Sequence, residues 1–249
     1  MTVHFVGAGP GAADLITLRA ASLLAAADVV LYPGTYLDAE VLTHCPNAHQ
    51  VDTQGLDLDQ ITAVMVEASA AGLEVVRLTS GDPSLYSALA EQTARLDATG
   101  VAWDVCPGVP AYAAAAAAVG RELTVPLVTQ SVVLTRTQAR STAMPETESL
   151  AAFAATRATL VLHLAITKTR ELAAELVEEY GADCPVAVVH RATQPDELVL
   201  RSTLADIADQ VEAAGLKQAA VIIVGRALAR DGGESWLYQP DRPRTTPLR

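Results

Sequence analysis

Val75-Val76-Arg77-Leu78-Thr79-Ser80-Gly81-Asp82-Pro83-Ser84-Leu85-Tyr86 decides how the chain is read, because a short apolar run breaks there at a small polar turn. A β-branched apolar run predicts a buried strand, Gly81 and Pro83 end it, and Ser84 is placed to cap a helix carrying Leu85, Leu89 and Leu96. Strand, Gly-Asp-Pro loop and helix follow in that order. In open α/β sheets ligands settle beyond the carboxyl ends of strands, so the backbone at Ser80 and Gly81 and the Asp82 carboxylate are candidate ligand contacts. An ordinary turn in which Asp82 caps the next helix accounts for the same residues, and the choice rests on the rest of the chain.

Upstream, Val3 to Val6 predicts a strand that runs into Gly7-Ala8-Gly9-Pro10-Gly11 and then a helix towards Ala27, with Asp14 or Thr17 as its cap. A glycine turn between strand and helix suggests a dinucleotide site. Three features argue against NAD: Ala12 replaces the third glycine, Pro10 has no N–H, and Val29-Val30-Leu31-Tyr32-Pro33 ends without an acid for ribose hydroxyls. Asp59 to Ala71 predicts an amphipathic helix, and Val101 to Val105 a further strand leading into Cys106-Pro107-Gly108-Val109-Pro110 and an alanine-rich helix from Ala111. His44, Cys45 and His49 lack metal-ligand spacing and read as exposed loop residues, so no metal is expected.

Gly120, Arg121, Glu122 and Pro126 interrupt the pattern and predict a joint. The expected division is a first α/β domain over residues 1–112, a second over 113–230, and a partly mobile tail over 231–249. Strands are predicted for the second at Ser131 to Thr135, Thr159 to Leu164, Pro185 to His190, Leu198 to Ser202 and Ala219 to Val224, with helices near 168–180 and 204–214. The strands at 185 and 198 are too close for a crossover helix, so this sheet is expected to be mixed or partly antiparallel. Arg136 and Arg140 follow one strand, and Lys168 and Arg170 another. Cations at strand ends in an acidic protein suit a polycarboxylate ligand, although any one of them alone reads as solvated surface.

Composition narrows the classes. With 17 Lys and Arg against 29 Asp and Glu the formal charge is −12, which disfavours nucleic acid and anionic membranes as partners. Aromatic residues make up 4%, too few for stacking to be a main binding device, while a 51% hydrophobic share suits close packing through small side chains. Cys45, Cys106 and Cys184 suggest a reducing, cytoplasmic setting without a disulfide framework, and neither export signal nor membrane span is expected. Neither Gly-x-Ser-x-Gly nor a Gly-Lys-Ser/Thr phosphate loop is present.

Taken together, Gly7-Ala8-Gly9-Pro10-Gly11 with Asp14-Leu15-Ile16-Thr17, then Arg77 to Tyr86, then Pro107-Gly108-Val109-Pro110-Ala111 resemble the tetrapyrrole methylases. The resemblance spans roughly residues 1 to 230 and keeps its motifs in order. It implies two α/β domains with S-adenosylmethionine in the trough between them, S-adenosylhomocysteine as product, a small-molecule tetrapyrrole substrate and a homodimer. Leu134-Thr135-Arg136, His190 to Glu197 and Lys217-Gln218-Ala219 point within the family to methylation at C-11 of precorrin-4 in cobalamin biosynthesis. By the same resemblance Pro10, Ser80, Gly81, Asp82, Leu85, Pro110, Ala111, Leu164 and Ala192 are cofactor contacts, mostly through backbone. Asp82 is expected to orient the cofactor. Substrate carboxylates are assigned to Arg136, with Arg77 and Arg140 as further candidates, and Arg77 has a structural alternative. Relatives that methylate uroporphyrinogen carry an aspartate where this chain has Pro33 after Tyr32, and no side chain is assigned as a base. Rival readings are a methylase of the same fold acting on RNA or a protein side chain, and a nucleotide-binding regulator.

Overall fold

The computed structural model describes residues 1–34, 36–137, 142–229 and 232–238. It falls into two compact units, Met1–Ala115 with Arg191–Glu197, and Ala116–His190 with Leu198–Arg249. The expected boundary at residue 112 took no account of Arg191–Glu197, a later segment that belongs with the first unit.

The first unit is a parallel five-stranded sheet in the order β3-β2-β4-β1-β5, formed by β1 (Val3–Gly7), β2 (Val29–Tyr32), β3 (His49–Asp52), β4 (Val75–Thr79) and β5 (Trp103–Cys106). Its helices are α1 (Leu18–Ala26), α2 (Leu58–Ala70), α3 (Leu89–Thr99) and α4 (Ala111–Val119), the last crossing the division between the units. Both faces are covered at the central strands β1, β2 and β4, as their apolar runs require, while β3 and β5 form more exposed edges. On one face Val6, Val30, Val76 and Leu78 pack with Ala20 and Leu24 of α1; on the other Phe5, Leu31 and Val75 pack with Ile61 and Met65 of α2 and Leu96 of α3.

Local chemistry sets the helix starts. Thr17 caps α1 by accepting the Ala20 N–H at 3.1 Å, and Asp57 closes a capping box with Gln60 at the start of α2. The helix expected from Ser84 begins instead at Leu89, with Ala88 in the left-handed region at its N-cap. Ser84 is taken up by Asp82, so the turn lengthens before the helix starts. Likewise β5 runs Trp103–Cys106, later than the Val101 start read from hydropathy.

The second unit carries a mixed sheet in the order β6-β7-β10-β8-β9, made by β6 (Val132–Arg136), β7 (Thr159–His163), β8 (Pro185–His190), β9 (Leu198–Thr203) and β10 (Ala220–Val224). Only the β6–β7 pair is parallel. The mixed sheet expected from the short 185-to-198 connection is therefore present. One face buries Leu160, Leu162, Val186, Val188 and Ile222 under α6 (Thr169–Tyr180) and α7 (Ile207–Ala213), with α5 (Leu150–Ala154) at its side. Tyr180 closes that core: its hydroxyl donates to the Ala158 carbonyl at 2.6 Å, and burial pushes its pKa up to about 12.

Candidate active site

The site follows from where the chain leaves the first sheet. From β1 it travels towards β2 on one side, and from the adjacent β4 it travels towards β5 on the other. The two connections cross to opposite faces of the sheet, α1 on one and α3 on the other, and the carboxyl ends of adjacent strands whose connections switch faces are the usual ligand position in such sheets. The two loops are also tied together. Gly9 N–H donates to the Gly81 carbonyl at 3.1 Å, Gly81 N–H donates to the Gly9 carbonyl at 2.7 Å, and Ala8 N–H reaches the Thr79 carbonyl at 2.8 Å. Gly81 has φ +68°, a conformation costly for a residue with a Cβ. The loop after β5 presses in from the third side, and a Cβ on Gly108 would lie 2.3 Å from the Gly81 oxygen and 2.8 Å from the Gly7 Cα. The rim of this site is therefore main chain packed on main chain.

Asp82 holds that packing. One carboxylate oxygen accepts the Gly108 N–H at 2.8 Å; the other accepts the Ser84 N–H at 2.8 Å and the Ser84 hydroxyl. Partial burial works against its ionisation, but the Ser84 hydroxyl, the Ser84 amide and the Gly108 amide outweigh it and keep the carboxyl below its ordinary value. The side chain is a staple between two loops.

Arg191–Glu197 packs on the first glycine loop. Thr193 Oγ1 accepts the Ala12 N–H at 3.0 Å, and a Cβ on Gly11 would meet Gln194 Cγ at 2.4 Å and the Ala192 oxygen at 2.9 Å. The segment is folded on itself: Arg191 pairs with Asp196 at 2.6 Å, Thr193 N–H donates to Glu197 at 2.6 Å, and Arg191 and Thr193 have φ of +47° and +68°. Gln194 Oε1 is a buried acceptor with no hydrogen-bond partner among the described residues. A ligand with amino or hydroxyl donors suits it, and a nucleoside carries both.

Among the expected cofactor residues, Pro10, Gly81 and Ala192 are buried, and Ser80, Asp82, Leu85, Pro110 and Ala111 are half-buried in the loops just described. Leu164 belongs to the second unit, where it is 54% exposed with φ +52°, directly after β7. The arginines divide. Arg77 is 7% exposed inside β4, and its guanidinium donates to Gln92 Oε1 at 3.1 Å, Thr53 Oγ1 at 3.3 Å and the Leu78 carbonyl at 3.2 Å. The structure thus corrects its assignment to substrate carboxylates: β4 is buried on both faces, so Arg77 points into the core, where burial pushes its pKa down to about 10 and leaves it charged at neutral pH. Arg136 ends β6 beside His163 of β7 in register, half-buried, and donates to the Thr142 carbonyl at 2.9 Å. Burial pushes the His163 imidazole below its ordinary value. Arg140 lies outside the described residues. Lys168 and Arg170 are taken by Glu171 and by Asp209 with Glu212.

Other sequence readings also meet the structure here. Cys45 is buried rather than an exposed loop residue, and His44 reaches the Ala13 carbonyl at 3.2 Å. Among the described residues no helix is long and apolar enough to cross a membrane. Sequence reading missed Thr193 and Gln194 as partners of Gly11 and Ala12, and Gln92 as the partner of Arg77, since no local pattern announces contacts so distant in sequence.

Glycine loops bridged at the carboxyl ends of adjacent parallel strands, with one stapling carboxylate, are the arrangement of an α/β protein that presents backbone groups at the usual place for a small-molecule ligand. The model of the tetrapyrrole (corrin/porphyrin) methylases matches residues 2–208, and the chain belongs to that family. It is 57% identical over 248 residues to a precorrin-4 C(11)-methyltransferase of Rhodococcus erythropolis, covering 99% of this chain and 100% of that protein. Among solved structures, a cobalt precorrin-4 methyltransferase superposes with a TM-score of 0.88 at 38% identity, covering 91% of this chain and 95% of the other. A uroporphyrin-III C-methyl transferase from Thermus thermophilus, complexed with S-adenyl homocysteine, gives a TM-score of 0.78 at 29% identity, covering 92% and 99%.

Proposed function

We propose that the chain transfers the methyl group of S-adenosylmethionine to C-11 of precorrin-4, giving precorrin-5 in cobalamin biosynthesis. The observation that carries this reading is the 57% identity, end to end, with a precorrin-4 C(11)-methyltransferase. Bound S-adenosylmethionine supplies an electrophilic methyl group on a sulfonium sulfur. The chain supplies position. Pro10, Ser80, Gly81, Asp82, Leu85, Pro110, Ala111 and Ala192 of the first unit, and Leu164 of the second, are the proposed cofactor contacts, and the orphaned Gln194 Oε1 adds an acceptor for a cofactor donor. Asp82 places a carboxylate beside these loops, where a cationic ligand is favoured.

Arg136 is the proposed partner of the substrate's carboxylate arms, since a guanidinium fork pairs with carboxylate through two parallel hydrogen bonds. Arg140 shares the proposal from sequence alone. Aligning the ring carbon, methyl and sulfur contributes on the order of 7–11 kcal/mol to such a transfer without any covalent enzyme intermediate. The chain is further read as a cytoplasmic homodimer; sedimentation at micromolar concentration tests the dimer.

The deciding assay incubates the full chain with S-adenosylmethionine and, separately, precorrin-4, cobalt-precorrin-4 and uroporphyrinogen III. One added methyl on precorrin-4, placed at C-11 by NMR of a carbon-13-labelled methyl, is the expected result. Methylation of uroporphyrinogen III alone overturns the substrate assignment. Preference for cobalt-precorrin-4 moves the enzyme to the metal-containing substrate of the solved relative.

A further inference from the structure

We infer that Gln92, oriented by Arg77, is a positioning residue for cofactor binding: its side-chain amide holds the Ser87–Ala88 turn, and through it the Gly-Asp-Pro loop, in a ligand-ready conformation. The inference rests on the cofactor reading above. Gln92 lies on α3, only 1% exposed. Its Oε1 accepts the Arg77 Nε–H at 3.1 Å, while Nε2 donates to the carbonyls of Ser87 and Ala88, both at 3.1 Å.

The orientation of that amide is forced. Arginine can only donate, so Oε1 must face Arg77, which turns both Nε2 hydrogens towards the two carbonyls. Thr53 Oγ1 and the Leu78 carbonyl fix the guanidinium in turn, at 3.3 Å and 3.2 Å. The chain of bonds thus runs from the middle of β4, through α3, to the far end of the loop that β4 feeds.

The turn being held is one that does not hold itself. Tyr86 and Ala88 both have φ of +54°, a region that non-glycine residues leave unless neighbouring bonds retain them. The Ser87 hydroxyl donates back to the Pro83 carbonyl, so the turn and the Gly-Asp-Pro loop move as one piece. Asp82 fixes the near end of that piece to Gly108, and Gln92 fixes the far end. Leu85, a proposed cofactor contact, lies between the two anchors.

Gln92→Glu separates positioning from packing. The variant keeps shape and volume and turns the Arg77 contact into an ion pair, but sets a carboxylate oxygen against the Ser87 and Ala88 carbonyl oxygens, replacing two attractive contacts by repulsive ones. Titration calorimetry with S-adenosylhomocysteine should show affinity weakened by about tenfold or more, with KM for S-adenosylmethionine raised and kcat within about twofold, as loss of uniform binding requires. A folded variant, by thermal unfolding, with unchanged affinity overturns the inference. Should Gln92→Glu fail to fold, hydrogen exchange on the wild-type chain decides. Protection over residues 83–92 that is equal with and without S-adenosylhomocysteine supports a loop set in advance, and protection that arises only with the ligand overturns it. If the wild-type chain binds no S-adenosylhomocysteine, the cofactor reading itself fails and the inference falls with it.

Discussion

Asp82 illustrates how much one side chain can hold when its partners are backbone amides. Three donors from two residues converge on its carboxylate, so removing it leaves the Gly108 and Ser84 N–H groups without acceptors. Asp82→Ala should therefore weaken S-adenosylhomocysteine binding by about tenfold or more in calorimetry while the chain still folds. Acid should act on the same group. The native pKa is held below the unfolded one, so its stabilisation is complete above the ordinary carboxylate range and is lost as pH falls through the depressed native value. In thermal unfolding followed from neutral pH to below about pH 4, Asp82→Asn should show a shallower acid decline than the wild-type chain. Arg136 gives the complementary test on the substrate side: Arg136→Ala should raise KM for precorrin-4 by about tenfold and flatten the salt dependence of kcat/KM, and an unaltered salt slope would exclude a charge role.

Among the elements, β1, β4 and β5 matter most, because their three loops meet main chain on main chain at Gly7, Gly81 and Gly108. A methyl group at Gly108 would contact backbone on two sides, where nothing flexible can give way. Gly108→Ala should therefore cost about 1–3 kcal/mol, the usual range for overpacking. For a domain of this size that lowers Tm by roughly 2–12 °C. The strands and most helices were legible in the sequence because each carries a plain signal: β-branched apolar runs for β1, β4 and β8, an amphipathic period for α2, and a connection too short for a crossover between β8 and β9. The start of α3 was not. Leu85 and Leu89 fit a helical period, but Asp82 takes Ser84 and Gln92 holds the Ser87–Ala88 turn, and both interactions are tertiary. For Arg77 the structural alternative holds, for a related reason: a strand buried on both faces gives its arginine nowhere to go but inward, and the side-chain acceptors it finds there lie 15 and 24 residues away.

For the whole molecule, the two units are not two stretches of chain. Arg191–Glu197 is reached only after most of the second unit, yet it packs on Gly11 and Ala12, with 181 residues separating Ala12 from Thr193. No periodicity or spacing in the sequence could show that return, which is why Gln194 and Thr193 went unread. Gly11→Ala tests it directly, since the added methyl would collide with Gln194 and the Ala192 carbonyl. Hydrogen exchange should quicken at Ala12 and across 193–197 and stay as it was in β8 and β9. An unchanged pattern would mean that the return segment yields without loosening. The same contact has a consequence during synthesis. When residue 115 leaves the ribosome the parallel sheet has all its strands, but the cover of its first glycine loop begins only at Arg191. At roughly 5–20 residues per second that interval lasts about 4–15 s, during which the nascent chain carries its first glycine loop uncovered and depends on translation to complete it.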